Sequence, residues 1–269
     1  MCQNLNKSNL TSRSISFGIV GYGQFGRFIH DLLRQHEPNC SVTVFTTDRA
    51  IDVGAASSLM EVAACNIIFL AVPISSYSNV VSSLIPFVNP ETVLVDVATV
   101  KVHTTRILER SDLPCKFIST HPMFGPESYK KIGERLDGLR VVVTGHSLDE
   151  IQYDATKRFL GRLGIKVVET DPDQHDRDLA ETLFLTHYVG QVIANAGFLR
   201  TDIDTVSFGF LMDAVEAVKN DSALFDQVVR YNPYCAQVIE KFDQSDREIR
   251  RKMLEQSPAN RSDGLWYSY

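Results

Sequence analysis

From Ser14 onward the chain alternates short apolar runs with longer stretches of helical periodicity, and that rhythm constrains its fold more than any other feature. The runs are SISFGIV, SVTVFTT, NIIFLAV, TVLVDVA and KFIST, then LRVVVTG and GIKVVETD. They read as continuously apolar rather than alternating, as strands do when a parallel sheet is covered by helices on both faces. FGRFIHDLLRQH and SLDEIQYDATKRFLGRLG are helices between strands, the second starting at Ser147 or Asp149 and stopping at Gly164. The expected fold class is α/β, with an N-terminal Rossmann-like, doubly wound parallel sheet. After Asp171 the rhythm changes. DPDQHDRDLAETLFLTHYVGQVIANAGF is expected as one long helix with apolar positions at Leu179, Leu183, Phe184, Val189, Val192 and Ile193. Further helices follow, with breaks at RTDIDT, KNDS and YNPY. The expected organisation is a flexible tail over 1–13, a dinucleotide-binding domain over 14–170, an all-helical C-terminal domain over 171–256, and a second tail over 257–269.

Composition narrows the function classes. The chain has 269 residues, 44% hydrophobic and 22% charged, as globular proteins do. Its longest apolar run, Ile67 to Pro73, is strand-sized, well short of the roughly 18 to 20 residues of a membrane helix. The polar start, MCQNLNKSNLTSRS, lacks the apolar core of a secretory signal. Cys2, Cys40, Cys65, Cys115 and Cys235 are odd in number and scattered, with no C-x-x-C pair, which argues against a disulfide framework and a zinc site. A cytoplasmic location is expected. The formal net charge is −6, and the densest cationic run, DREIRRKM around Arg250, is interleaved with acids, so neither nucleic acid nor membrane is an expected partner.

IVGYGQFGRFI places Gly21, Gly23 and Gly26 directly after the first strand and at the start of a helix, with Gln24 and Phe25 inside the turn. The first glycine permits the tight turn, the second lets a pyrophosphate approach the backbone, and the third lets helix and strand pack closely. The second strand is expected to end near Phe45 or Thr46. NAD enzymes usually place an acid there for the ribose hydroxyls; Thr46 and Thr47 are neutral, and Arg49 follows, which favours NADP over NAD. Asp48 pulls the other way if the strand runs two residues longer. Val72 and Pro73 end the next strand, where the fold passes near adenosine and ribose.

Three segments belong to strand ends or to the helix after the sheet: DVATVK (Asp96 to Lys101), STHPMFGPES (Ser119 to Ser128) and QHDRDLAETLFLTH (Gln174 to His187). The first two supply a hydroxyl, Thr99, and an imidazole, His121, the latter on an expected loop between a strand and two prolines. That pairing can manage a proton. His175 and Asp176 read as a capping pair at a helix start.

With its dinucleotide-binding domain, DVATVK, THPMFGPES, and H-D-R followed by His187, the chain resembles the prephenate and arogenate dehydrogenases of tyrosine biosynthesis over about Ser16 to Phe242. FLTH followed by Ile203, Asp204 and Thr205 resembles the plant-like branch. The resemblance implies an NADP-linked oxidative decarboxylation of prephenate or arogenate: hydride leaves C4 of a cyclohexadiene for the nicotinamide, carbon dioxide departs and the ring becomes aromatic. It implies His121 as the base, Thr99 where the family has serine, His187 and Thr205 as substrate contacts, no metal, and a homodimer through the helical domain. Asp221 is open to two readings, a partner for the ammonium of arogenate or a helix N-cap. No arginine appears in TVSFGFLMDAVEAVKNDS, so Lys130, Lys131 or Arg200, or else a set of neutral donors, is the candidate partner for the ring carboxylate. A β-hydroxyacid dehydrogenase would need a lysine on the helix from Leu179 to Phe198, which has none. A non-catalytic NADP-sensing regulator would have no use for both His121 and His187.

Overall fold

The computed structural model describes residues 15–48, 58–219 and 221–256. Arg49 and both expected tails lie outside the described residues. The chain divides into two compact units, the division falling between Pro172 and Asp173.

Among the described residues the first unit is built on strands β1 (Ser16–Val20), β2 (Ser41–Phe45), β3 (Ile67–Leu70), β4 (Val93–Asp96), β5 (Lys116–Pro122), β6 (Arg140–His146) and β7 (Lys166–Glu169). They form one sheet in the order β2-β1-β3-β4-β5-β6-β7. Side chains alternate between its faces. Phe17 and Ile19 of β1 pack with Ile29 and Leu33 of helix α1 (Gln24–His36). Val20, Ile68, Leu70 and Leu94 face the other way, onto Val62 of α2 (Leu59–Ala63), Val81 and Leu84 of α3 (Tyr77–Leu84) and Leu108 of α4 (Lys101–Arg110). Each fully buried aliphatic side chain contributes roughly 1.5–3 kcal/mol, so both faces must be covered for the sheet to persist. Helix α6 (Glu150–Arg162) is capped by Asp149, whose carboxylate accepts the Gln152 amide at 2.9 Å.

The expectation of an all-parallel sheet needs one correction. β5 and β6 pair antiparallel, whereas every other neighbouring pair is parallel. Their connection carries only the six-residue α5 (Pro126–Lys131), and the Met123 amide bonds the Arg140 carbonyl at 2.9 Å. The chain thus turns back beside the strand it has just left instead of crossing the sheet.

The second unit is helical among its described residues: α7 (Pro172–Leu179), a π-helical turn (Ala180–Phe184), α8 (Leu185–Asn195), α9 (Val206–Val218), α10 (Ser222–Tyr231) and α11 (Cys235–Gln256). The π turn corrects the uniform helix expected over this stretch. One extra residue turns everything after it by about 100°. His187 and Gly190 are buried, whereas Val192 is half exposed. At Gly190 the helices approach so closely that a Cβ would lie 2.4 Å from Val218 Cγ2 of α9.

Candidate active site

The glycine turn sits where the strand order reverses, between β1 and β3, and that is where open α/β sheets bind ligands. Gly21 has φ +95° and donates its amide to the Phe45 carbonyl at 2.9 Å. A Cβ there would lie 2.2 Å from the Ala71 carbonyl oxygen, and one on Gly26 would lie 2.1 Å from the Gly21 oxygen. At Gly23 a Cβ would meet nothing within 4 Å, so this residue fronts open space at the start of α1. Gln24 beside it is exposed, and the first turn of α1 carries no acid, leaving its amides and dipole unopposed for an anion. Phe25 packs its ring 5.8 Å from Phe28 and is a hydrophobic anchor of α1. Val72 is half-buried behind Gly21 and Pro73 is exposed at the start of a 3-10 turn. The residues present therefore fit the pyrophosphate of a dinucleotide.

β2 ends at Phe45, leaving Thr46 and Thr47 at its tip. The Thr46 hydroxyl accepts the Asp48 amide at 3.2 Å, a local turn three residues beyond the strand.

His121 is not on a loop. It is the penultimate residue of β5, only 6% exposed, held opposite Val142 of β6. The antiparallel neighbour extends β5 three residues, Thr120 to Pro122, beyond its last partner on β4, where Asp96 pairs with Ser119. A bulge between Ser119 and Thr120 re-aims the side chains of that extension. Thr99, half-buried, lies on the loop between β4 and α4.

Beneath these two residues is a buried polar cluster. Asp96 and Lys101 are fully buried and 2.5 Å apart, and the Asp96 carboxylate also accepts from Thr104 Oγ1 at 2.7 Å and Ser119 Oγ at 3.0 Å. Burial foremost, then the Asp96 charge, pushes the Tyr77 hydroxyl far above its ordinary pKa. Reading DVATVK for its hydroxyl alone misses this cluster, although an acid and a lysine flanking an apolar loop are its visible signal.

In the second unit, His187 is 6% exposed and its Nδ1 is buried with no hydrogen-bond partner among the described residues. Its ring stacks on Phe225 at 6.3 Å, and Phe225 stacks on Phe184 at 5.7 Å. Burial lowers the His187 pKa, opposed by the Asp221 charge. Asp221 occupies the N-cap position of α10 but makes no side-chain capping bond, so the N-cap reading of its carboxylate does not hold. Thr205 does cap: its hydroxyl accepts the Phe208 amide at 3.2 Å at the start of α9, and the residue is exposed. His175 and Asp176 lie inside α7 rather than at its cap, buried and bonded to each other at 2.8 Å. The Asp176 carbonyl accepts from Asn232 at 2.8 Å, tying α7 to the turn before α11. Arg200 is engaged by Asp213 at 2.6 Å and by Asp204 at 3.9 Å, while Lys130 and Lys131 are exposed on α5.

The glycine turn at the switch point and a separate helical unit define a two-part dinucleotide-dependent protein. A family model described as the prephenate dehydrogenase nucleotide-binding domain matches residues 43–169. The chloroplastic arogenate dehydrogenase 2 of Arabidopsis thaliana is 28% identical over 262 residues, covering 90% of this chain and 71% of the relative. Arogenate dehydrogenase 1 of the same plant is 31% identical over 258 residues, covering 89% of this chain, which spans 39% of that longer relative. Among solved structures, the A. aeolicus prephenate dehydrogenase in complex with hydroxyphenyl propionate and NAD+ superposes with a TM-score of 0.68 at 18% identity, covering 90% of this chain and 91% of the other. The Synechocystis arogenate dehydrogenase gives 0.63 at 20% identity, covering 91% and 94%. Residues 43–169 thus match the nucleotide-binding domain of the prephenate dehydrogenases, and about nine-tenths of the chain is similar to the plant arogenate dehydrogenases.

Proposed function

We propose that the protein catalyses NADP-dependent oxidative decarboxylation of arogenate or prephenate, with His121 as the base. The observation that carries this reading is the placement of His121: a buried imidazole fixed in a strand ladder, two residues past the carboxyl end of β4 and one loop from the Thr99 hydroxyl. A nicotinamide dinucleotide, when bound, supplies the hydride acceptor. The chain's own residues do the rest. The amides at the start of α1 hold the pyrophosphate, and His121 accepts the hydrogen bond of the substrate 4-hydroxyl and then its proton. Thr99 keeps the position of a hydroxyl that orients either the imidazole or the substrate oxygen. As C4 loses hydride, the 4-oxygen becomes a carbonyl; loss of carbon dioxide then returns the electron pair to the ring, and aromatisation drives the reaction forward.

The end of β2 at Phe45 supports NADP, because Thr46 and Thr47, the described residues directly at the strand tip, carry no charge to repel a 2′-phosphate. The orphaned Nδ1 of His187 supports a substrate contact in the helical unit, and the uncapped carboxylate of Asp221 supports arogenate through its ammonium. Exposed apolar side chains at Phe198, Ile203, Val206 and Phe210 support a homodimer formed through that unit. The described cysteines are all free thiols, which agrees with a reducing compartment such as the cytoplasm.

The test is a two-by-two assay of prephenate and arogenate against NAD and NADP, following the absorbance of the reduced cofactor. Turnover is expected, highest with arogenate and NADP. In His121→Ala, kcat should fall by roughly 10²- to 10⁴-fold in a protein that still folds. If no combination yields reduced cofactor, the enzyme reading fails and a nucleotide-sensing role replaces it.

A further inference from the structure

Thr99 comes from the loop after β4 and His121 from β5, yet the backbone around both leads to one carboxylate. The Ala98 amide, just before Thr99, donates to Asp96 Oδ1 at 2.9 Å. Just after Thr99, the Val100 carbonyl accepts from Thr104 Oγ1 at 3.0 Å, and the same hydroxyl lies 2.7 Å from Asp96 Oδ2. Thr120, the neighbour of His121, is gripped twice. Its hydroxyl donates to the Asp96 carbonyl at 2.6 Å, and its own carbonyl accepts from Lys101 Nζ at 2.7 Å. Lys101 in turn closes on Asp96 Oδ2 at 2.5 Å.

A structural core would be served equally well by apolar side chains here, since exchanging a buried ion pair for neutral groups of similar volume is often neutral or stabilising. β4 is otherwise apolar, reading Val93, Leu94, Val95 before Asp96. What the charged pair adds is direction. Every bond it makes has a fixed donor and a fixed acceptor, and together they set the distance between the loop of Thr99 and the end of β5. The grip falls beside the bulge at Ser119 and Thr120, where the ladder to β6 is irregular and constrains β5 least.

We propose that Asp96 and Lys101 are positioning residues that fix Thr99 against His121 for proton transfer. Neither touches substrate in this scheme, which rests on the reading of His121 as the base. Misplacing a reacting group by an ångström can cost a hundredfold in rate without disturbing binding elsewhere.

The experiment uses the full chain carrying Asp96→Asn with Lys101→Met, a double change that removes both charges and keeps side-chain size. Thermal unfolding, NADP dissociation constant, KM and kcat are measured beside the ring NMR signals of His121. Melting and NADP affinity should stay near wild type, because the glycine turn lies on β1 and α1, while kcat falls by roughly 10- to 100-fold. The His121 ring signal should broaden or split as the imidazole loses its single orientation. Near-wild-type kcat in a folded double variant overturns the proposal. So does a loss of kcat matched by an equal loss of NADP affinity or of melting temperature, which marks general damage. Should the wild-type protein reduce cofactor with neither substrate, the enzyme reading falls on its own. The clamp is then judged by the His121 signal alone, and an unchanged signal in the double variant overturns it.

Discussion

Gly23 and Gly26 stand three residues apart in the same turn and are glycines for different reasons. Gly26 has no room: a methyl group there meets the Gly21 carbonyl at 2.1 Å, and backbone must move to admit it. Gly26→Ala should therefore destabilise the protein by roughly 1–3 kcal/mol, read from denaturant unfolding, whether or not nucleotide is present. Gly23 has room that a pyrophosphate needs. Gly23→Ala should unfold like the parent but raise the dissociation constant for NADP in a fluorescence titration; unchanged affinity would remove Gly23 from the cradle. The motif is legible in the sequence because it is local, set by strand, turn and helix within a dozen residues. Asp221 is the contrary case. Its place before Ser222 marks an N-cap, but the side chain makes no capping bond, and its influence on His187 crosses from α10 to α8.

The π turn decides what the long helix of the second unit presents. Counted from Leu179 at about 100° per residue, a regular helix would turn Leu183 inward and Phe184 away; the inserted residue instead buries Phe184, and His187 and Gly190 follow on the buried face. A histidine so placed has its charged form penalised by burial, which lowers its pKa from the ordinary 6.5. The unfolded chain then binds a proton that the folded chain resists. Stability should consequently decrease as pH falls below about 6.5, and the deficit is complete once pH drops under the folded value. Comparing unfolding free energy against pH for the wild type and His187→Gln should show a shallower acid loss in the variant. Asp221→Asn should steepen the loss, because it removes the charge that partly offsets burial. Identical curves for all three proteins would mean that His187 is not desolvated.

At the scale of the whole molecule, the helical unit leaves Ile203 90% exposed, Val206 76% and Phe210 70%, side chains that soluble surfaces seldom cluster without a partner. Sedimentation equilibrium should give a dimer, and Phe210→Asp should shift it toward monomer while leaving the unfolding of the sheet unit unchanged. A monomeric wild type would refute the expectation. Among the described residues no helix is long and apolar enough to cross a membrane.

The strands, the glycine turn and the change to helices near residue 171 are determined by sequence alone, because apolar periodicity and glycine sterics act over a few residues. Tertiary structure decided the rest. Antiparallel pairing with β6 drew His121 out of an expected loop and into a strand. Folding also joined Lys101 to Thr120 across 19 residues and Ser119 to Asp96 across 23, and such bonds have no period to read. They form only where strands distant in sequence are brought side by side, and a buried charge must then find its partner or remain unpaired at high cost.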